Sequence, residues 1–233
     1  MQFPSLSPSA KQRRSGLTPA RSLLCALLCF TMLLAAAIDG ARLPARVQAA
    51  AAGSNALRDW AKMLDDNRQQ TTDIKLIKVN EFFNRRIAFA DDLAVWGKSD
   101  FWATPFETMT KGKGDCEDFV IAKYFSLLDM NVPDVQLRLI YVRARLGGPS
   151  SSLQQAHMVL AYYPTPDADP MILDNLITDI RPAARRADLT PVFSFNRLGV
   201  FAGAAAGAPA AGGTERLSAW QDLLLRARRE GFD

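Results

Sequence analysis

Apolar residues recur at helical spacing after the first 53 residues of the chain. The spacing i, i+3, i+4, i+7 predicts a short helix over residues 54–68, carried by Leu57, Trp60, Ala61 and Leu64. A second helix is predicted to begin after Thr72-Asp73, with a buried stripe of Leu76, Val79, Phe83 and Ile87. Residues 90–112 lack this period but are rich in aromatic side chains, so a packed loop is expected there.

A third helix is predicted after the segment GKGDCED at residues 112–118, and it runs to about Met130. Asp115 is placed to cap its N-terminus, and Asp118 three residues on completes a pattern like a capping box. The expected buried stripe is Val120, Tyr124, Leu127 and Leu128. Asn131-Val132-Pro133 then ends the helix.

Beyond Pro133, apolar residues recur at every second position, which is the period of β-strands. Residues 135–143 alternate, with Val135, Leu137, Leu139 and Tyr141 on one face. The apolar runs at 157–163 and 171–176 predict two more strands, and residues 190–201 a further one. An Ala/Gly-rich stretch follows at 202–213, and then a predicted helix over 214–229 with Leu217, Trp220 and Leu224 on one side. That helix either packs back on the domain or docks to a partner or a membrane surface.

The N-terminus has the pattern of a secretory signal. A basic region is followed by the apolar run LLCALLCFTMLLAAAI at residues 23–38, which is short for a membrane span. Cleavage is expected after Ala37 or Ala49, and an uncleaved N-terminal anchor is the alternative. The predicted organisation is a signal and linker at 1–49, one main domain at 50–201, and the Ala/Gly linker with its helix at 202–233.

Removal of the signal changes the charge of the chain. The 28 Lys+Arg against 24 Asp+Glu, with a pI near 9.1, invite a nucleic-acid partner. Cleavage after Ala37 leaves 24 basic and 24 acidic residues, and cleavage after Ala49 leaves 22 and 23. The exported protein is therefore near neutral, and no nucleic-acid partner is expected.

Export also leaves a single thiol and a single imidazole, because Cys25 and Cys29 lie inside the apolar run. Cys116 sits at a predicted helix N-terminus, where the helix dipole and free N–H groups lower the pKa of a thiol. The alternative is a small buried apolar side chain. His157 is the available base for a nucleophilic Cys116, although a lone histidine is often structural.

Asp174 is the candidate that would orient His157. A neutral imidazole that acts as a base needs an acceptor on its other nitrogen. If a hairpin closes through a turn at residues 164–167, Tyr163 lies opposite Ala168 and His157 opposite Asp174, on one face. The alternative role for Asp174 is a hydrogen-bonding aspartate at a strand end, and Asn175 is a second candidate orienting group.

Three carboxylates surround the candidate nucleophile. Asp115, Glu117 and Asp118 disfavour a thiolate and raise its pKa. A divalent cation would neutralise them, and closely spaced oxygen ligands suit Ca²⁺. The alternative is that these acids only cap the helix.

Residues from about Val79 to Phe201 resemble the bacterial transglutaminase-like cysteine peptidases, the LapG-type periplasmic adhesin proteases. In chain order the resembling motifs are VNEFFN (79–84), WGxxDFWATPxE (96–107), GKGDCEDFVIAKYFSLL (112–128), LRLIYV (137–142), AHMVLAYY (156–163), LDNL (173–176) and DLTPVFSFN (188–196). The resemblance implies an α+β, papain-like/transglutaminase-like fold, with the nucleophile at the N-terminus of a helix that packs on an antiparallel sheet.

The resemblance also implies site residues. Cys116, His157 and Asp174 would form the triad of a cysteine endopeptidase. Asp115 and Glu117 would hold calcium, with Asp118 as a third ligand. The Cys116 backbone N–H would bind the oxyanion, and the indole N–H of Trp102 is a candidate second donor.

The biological role that the resemblance implies is cleavage of a large secreted adhesin near its N-terminal retention domain, at an Ala-Ala-containing site in the periplasm. Release of the adhesin would promote biofilm dispersal. An inner-membrane receptor that senses cyclic di-GMP would hold the protease inactive. Two other functions stay open at this point: transglutaminase-type acyl transfer, and a non-catalytic module that binds a partner.

Overall fold

Two helices form where the apolar spacing predicts them. Helix α1 spans Asn55–Asn67 and helix α2 spans Thr72–Arg86. Ser54 caps α1 by accepting a hydrogen bond from the Leu57 N–H, which starts the helix at the next residue. The predicted apolar stripes of both helices are buried.

The computed structural model describes residues 53–204 and 217–232, with the isolated residues 49 and 214. The predicted signal segment therefore lies outside the described residues, apart from Ala49, and so does most of the Ala/Gly-rich stretch. Within the described part of the chain, none of the helices is both long enough and apolar enough to cross a bilayer.

The loop expected over residues 90–112 contains two short helices, so that prediction is wrong in part. Helix α3 spans Asp92–Trp96 and helix α4 spans Pro105–Lys111. Thr104 and Glu107 form a capping box around Pro105, a start signal that acts locally and needs no long apolar period. The short strands β1 (Ala88–Phe89) and β2 (Lys113–Gly114) pair in parallel on either side of this segment.

Helix α5 spans Cys116–Asp129 and begins at the candidate nucleophile. Asp115 occupies the N-cap position, but its side chain makes no capping hydrogen bond, so the predicted side-chain cap is wrong. The prediction of one buried stripe also falls short. Residues 118–127 are all buried, because other helices and the sheet pack around α5.

Six strands form an antiparallel sheet in the order β6-β5-β4-β3-β7-β8. The strands are β3 (Leu137–Arg145), β4 (Gln154–Tyr162), β5 (Met171–Leu173), β6 (Arg181–Pro182), β7 (Leu189–Asn196) and β8 (Gly199–Ala202). Val135, predicted in a strand, lies in a 3₁₀ turn over Asp134–Gln136 and is exposed. The strand predicted over 190–201 is a hairpin of two strands.

The main core lies between α5 and one face of the sheet, where Leu137, Leu139 and Leu160 belong to the same apolar cluster as α5. A smaller cluster around Ile140 and Val159 covers the other face. Helix α6 (Ser218–Glu230) belongs to the main core through the buried side chains of Trp220, Leu223 and Ala227. Helices combined with an antiparallel sheet confirm the predicted α+β class.

Candidate active site

The thiol of Cys116 lies beside strand β4. Its Sγ accepts a hydrogen bond from the backbone N–H of Met158, the residue that follows His157. The thiol itself donates to Glu117 Oε2, with Sγ and Oε2 2.8 Å apart. The fold therefore brings the first residue of α5 next to the single histidine of the chain.

His157 and Asp174 form a buried pair, with 2.8 Å between Nε2 and Oδ1. The predicted strand register is wrong by two residues, because Tyr162 pairs with Met171 and Leu160 with Leu173. A shift of two residues keeps every side chain on its original face. Asp174, which directly follows β5, therefore still reaches His157, and it rather than Asn175 makes the contact.

Four further groups hold Asp174 in place. Its Oδ1 accepts a second hydrogen bond from the Leu176 N–H, and its Oδ2 accepts one from the Arg186 guanidinium at 2.7 Å. Its backbone carbonyl accepts from Asn84 Nδ2 and from Lys123 Nζ. Burial alone would raise the pKa of Asp174, but the bonds from His157, Leu176 and Arg186 outweigh it and lower the pKa to about 2.

The ionised state of Asp174 decides which nitrogen of His157 carries the proton. A carboxylate only accepts hydrogen bonds, so Nε2 must carry the hydrogen that lies between the two residues. In the neutral imidazole, Nδ1 is then the basic nitrogen. A neighbouring thiol requires such a base to accept its proton.

The surroundings of the Cys116 thiol disfavour its ionisation, as the sequence predicts. Burial raises the pKa of the thiol, and the negative charge and hydrogen bond of Glu117 raise it further, followed by the charge of Asp115. The hydrogen bond from Met158 acts in the opposite direction. A positive charge near these acids would favour the thiolate.

An acidic cluster lies beside the nucleophile, formed by Asp92, Asp115 and Asp118. One carboxylate oxygen from each lies within 4.8 Å of the others. Asp92 is a residue that sequence reasoning missed. The predicted ligand Glu117 is not in this group, because its carboxylate contacts the Cys116 thiol and Asp115.

The cluster has the properties of a cation site. Among the described residues, Asp92 Oδ1, Asp115 Oδ1 and Asp118 Oδ2 are buried oxygens without a hydrogen-bond partner. Burial is the largest cause that raises the pKa of all three acids, and nearby negative charges, that of Glu117 in each case, add to it, so the pKa reaches about 9 for Asp115 and about 7 for Asp118. Buried carboxylates without partners are costly, and a bound cation removes that cost.

The other oxygens of the cluster hold the segment that carries Trp102. Asp118 Oδ1 accepts from the Ala103 N–H at 2.8 Å, and Asp92 Oδ2 accepts from the Phe101 N–H. The indole N–H of Trp102 donates to Asp100 Oδ1 at 2.9 Å, so in this arrangement it has a partner other than an oxyanion. The oxyanion role of Trp102 stays a prediction.

Gly114 leaves the space that Asp118 occupies. A Cβ atom at this position would lie 2.4 Å from Asp118 Oδ2, one of the unpartnered oxygens. We expect Gly114→Ala to push Asp118 out of the cluster and weaken cation binding by about 1–3 kcal/mol, the usual cost of overpacking. Calorimetric titration with calcium measures the change in affinity. Gly112→Ala cannot serve as the control, because Gly112 has a positive φ that strains an alanine. An unchanged affinity would show that Asp118 takes no part in binding.

Comparisons with known proteins identify the family. The family model described as bacterial transglutaminase-like cysteine proteinase matches residues 54–188. The calcium-bound structure of Legionella pneumophila LapG is 36% identical, with a TM-score of 0.68 over 79% of this chain and 98% of that one. The EGTA-treated LapG structure is 37% identical, with a TM-score of 0.68 over 78% of this chain and 96% of that one. No curated protein matches the chain significantly.

These matches confirm the predicted family and its transglutaminase-like fold. The matched residues 54–188 include the segment from Cys116 to Asp174 and the acidic cluster. The chain belongs to the bacterial transglutaminase-like cysteine proteinase family.

Proposed function

We propose that this protein is an exported, calcium-dependent cysteine endopeptidase with Cys116, His157 and Asp174 as its triad. The observation that carries the proposal is the buried His157–Asp174 pair, one residue away from the amide that contacts the Cys116 thiol. Membership of a cysteine proteinase family supports a hydrolase. The presence of Cys116, His157 and Asp174 together also favours a hydrolase over a binding module, because a binding role needs none of these three groups.

The reaction starts with proton transfer from the Cys116 thiol to Nδ1 of His157. The thiolate attacks the scissile carbonyl, and the oxyanion accepts a hydrogen bond from the backbone N–H at the start of α5. His157 returns the proton to the leaving amine, and a thioester forms as the C–N bond breaks. Water activated by His157 then hydrolyses the thioester and regenerates the thiol. Asp174 keeps the imidazole in the required tautomer and stabilises its protonated form.

Calcium belongs to the proposal because the acidic cluster suits it and because the similar LapG has been obtained in a calcium-bound form. Asp92, Asp115 and Asp118 would hold the ion, and Glu117 lies next to Asp115. A bound cation supplies positive charge beside Cys116, which offsets the carboxylates that raise the pKa of the thiol.

The calcium proposal predicts a pH dependence of stability. Without metal, Asp115 and Asp118 have pKa values of about 9 and about 7, above that of an unfolded aspartate. A raised folded-state pKa contributes stability that is present at low pH and lost as pH rises through these values. Calcium must displace those protons, so its stabilising effect grows over the same range.

We therefore expect the difference in Tm between calcium and EGTA to be larger at about pH 8 than at about pH 5.5. Thermal unfolding in both media at the two pH values measures it. Magnesium at equal concentration is the control, since Mg²⁺ dehydrates reluctantly and demands near-ideal octahedral geometry. A calcium effect that is equal at both pH values would contradict binding to these protonated acids.

The substrate proposed is the N-terminal region of a large surface adhesin, cut at an Ala-Ala-containing site in the periplasm, with biofilm dispersal as the result. An inner-membrane cyclic-di-GMP receptor is the proposed partner that sequesters the enzyme. The support for these points is the motif resemblance between Val79 and Asn196, together with the signal pattern in the first 38 residues.

The test uses purified protein and a recombinant N-terminal fragment of an adhesin encoded near this chain in its own genome. We expect cleavage in calcium, loss of cleavage in EGTA and recovery when calcium is added back. Mass spectrometry of the new termini locates the cut, and a fragment with the Ala-Ala pair replaced by Asp-Asp is the matched control. A labelled primary amine in the same reaction tests acyl transfer. Labelled product in excess of hydrolysis would overturn the peptidase proposal, and stable binding without either product would favour a binding module.

A further inference from the structure

Next to the His157–Asp174 pair lies a chain of charged groups that the proposed mechanism does not use. Arg186 Nη2 donates to Asp174 Oδ2 at 2.7 Å and to Asp188 Oδ2 at 2.8 Å. Arg186 Nε donates to Asp188 Oδ1 at 3.0 Å. The side chain of Arg186 is 1% exposed, and that of Asp174 is fully buried. The order of contacts is thus His157, Asp174, Arg186, Asp188.

This arrangement gives the two oxygens of Asp174 different tasks. Oδ1 accepts from His157 and from the Leu176 N–H, whereas Oδ2 accepts from Arg186. A carboxylate held on one side only can rotate and exchange its oxygens. Because both sides of Asp174 are occupied, Oδ1 stays directed at Nε2 of His157.

The geometry of Arg186 is itself fixed. Asp188 engages two of its guanidinium nitrogens, and this fork leaves Nη2 directed at Asp174. Stability alone is a weak reason to bury the Arg186–Asp174 pair, since ion pairs inside a protein often gain little over apolar side chains of similar volume. A positioning role explains why a charged group stands here.

We propose that Arg186, held by Asp188, is a positioning residue that fixes the Asp174 carboxylate against His157. The proposal rests on the proposed peptidase function, in which Asp174 orients the base. Arg186 has no path to the substrate, because its side chain is buried behind Asp174. Loss of Arg186 must therefore act on turnover and leave substrate binding unchanged.

The first measurement is steady-state cleavage by Arg186→Gln, Arg186→Lys and Asp188→Asn. We expect kcat of Arg186→Gln to fall about 10–100-fold with KM unchanged, by analogy with the loss seen when a partner that orients a metal-bound side chain is removed. Arg186→Lys keeps the positive charge but has a single nitrogen for the carboxylates of Asp174 and Asp188. Its kcat should therefore lie between that of Arg186→Gln and that of the wild type. The control is Arg185→Gln, a change at the exposed neighbouring residue. Its kcat and KM should match those of the wild type.

A double mutant separates positioning from general stability. If Arg186 acts through Asp174, Arg186→Gln in an Asp174→Asn background should lower kcat by no more than about twofold. The same loss in both backgrounds would show that Arg186 acts independently of Asp174 and would overturn the proposal. Thermal unfolding of each variant shows that the comparison is made between folded proteins.

The single histidine supplies a readout that needs no turnover. With a histidine-free affinity tag, the imidazole signals in an NMR spectrum belong to His157 alone. We expect the low-field Nε2–H proton of the wild type to shift upfield and broaden in Arg186→Gln, and to be retained in Arg185→Gln. An unchanged signal together with unchanged kcat would overturn the proposal. If the wild type cleaves nothing, the peptidase function fails, yet the NMR comparison still decides whether Arg186 positions Asp174.

Discussion

Cys116→Ala is expected to lower kcat/KM for cleavage by more than about 1,000-fold, because the variant has no atom that can form the thioester. The change removes one side-chain atom at the start of α5, where the thiol is only partly buried, and alanine is a good helix former. The fold should therefore remain intact. Cleavage of the adhesin fragment, followed by gel and mass spectrometry, measures the loss.

Two controls make this result specific to the thiol. Cys116→Ala should keep the calcium-dependent rise in Tm, because Sγ is not part of the acidic cluster. Cys116→Ser should keep a hydrogen bond to Glu117 but lose activity almost as completely, since a hydroxyl is a weaker nucleophile than a thiol. Cleavage by Cys116→Ala at the wild-type rate would refute the assignment of the nucleophile.

Asp92→Asn is expected to lower activity at limiting calcium by about 100-fold or more, at least the loss seen when outer partners of a metal site are removed. The substitution keeps the size of the side chain and removes one negative charge from the cluster. Calcium affinity should fall in parallel, and excess calcium should restore part of the rate. Activity as a function of calcium concentration separates this effect from a direct effect on catalysis.

The neighbouring residue offers a matched control for Asp92. Asp91 is exposed, has the same charge, and makes no capping hydrogen bond with its side chain. Asp91→Asn should leave the calcium dependence unchanged. If the two variants behave alike, the effect comes from the net charge of this region and the assigned cation site is wrong.

The sequence predicts the parts of the site that depend on local pattern. Cys116 at a helix start and Asp174 on the same face as His157 follow from the spacing of apolar residues, and an error of two in the strand register does no harm because side chains alternate with that period. Helices α1 and α2 are also found as predicted, because each is long enough to show an apolar stripe.

The parts that the sequence does not predict depend on contacts between distant segments. Asp92 lies 23 residues before Asp115, in a helix of five residues that is too short to show a period. The pair Asp91-Asp92, which follows the second predicted helix, was the one local sign in the sequence that an acidic ligand could lie here. Arg186 reaches Asp174 because it follows β6, the strand that pairs with β5, and no local pattern specifies this contact.

Helix α6 holds the segment that borders the acidic cluster. Arg226 donates to the carbonyl of Trp102 at 2.6 Å, and Glu230 accepts from the Thr104 hydroxyl at 2.6 Å. The segment between those contacts also bonds Asp118 through the Ala103 N–H. Although the three candidate catalytic residues and the acidic cluster lie between residues 92 and 174, the segment that bonds Asp118 is held by a helix that begins at Ser218. A C-terminal truncation that removed α6 would therefore act on the acidic cluster from well outside that range of the chain.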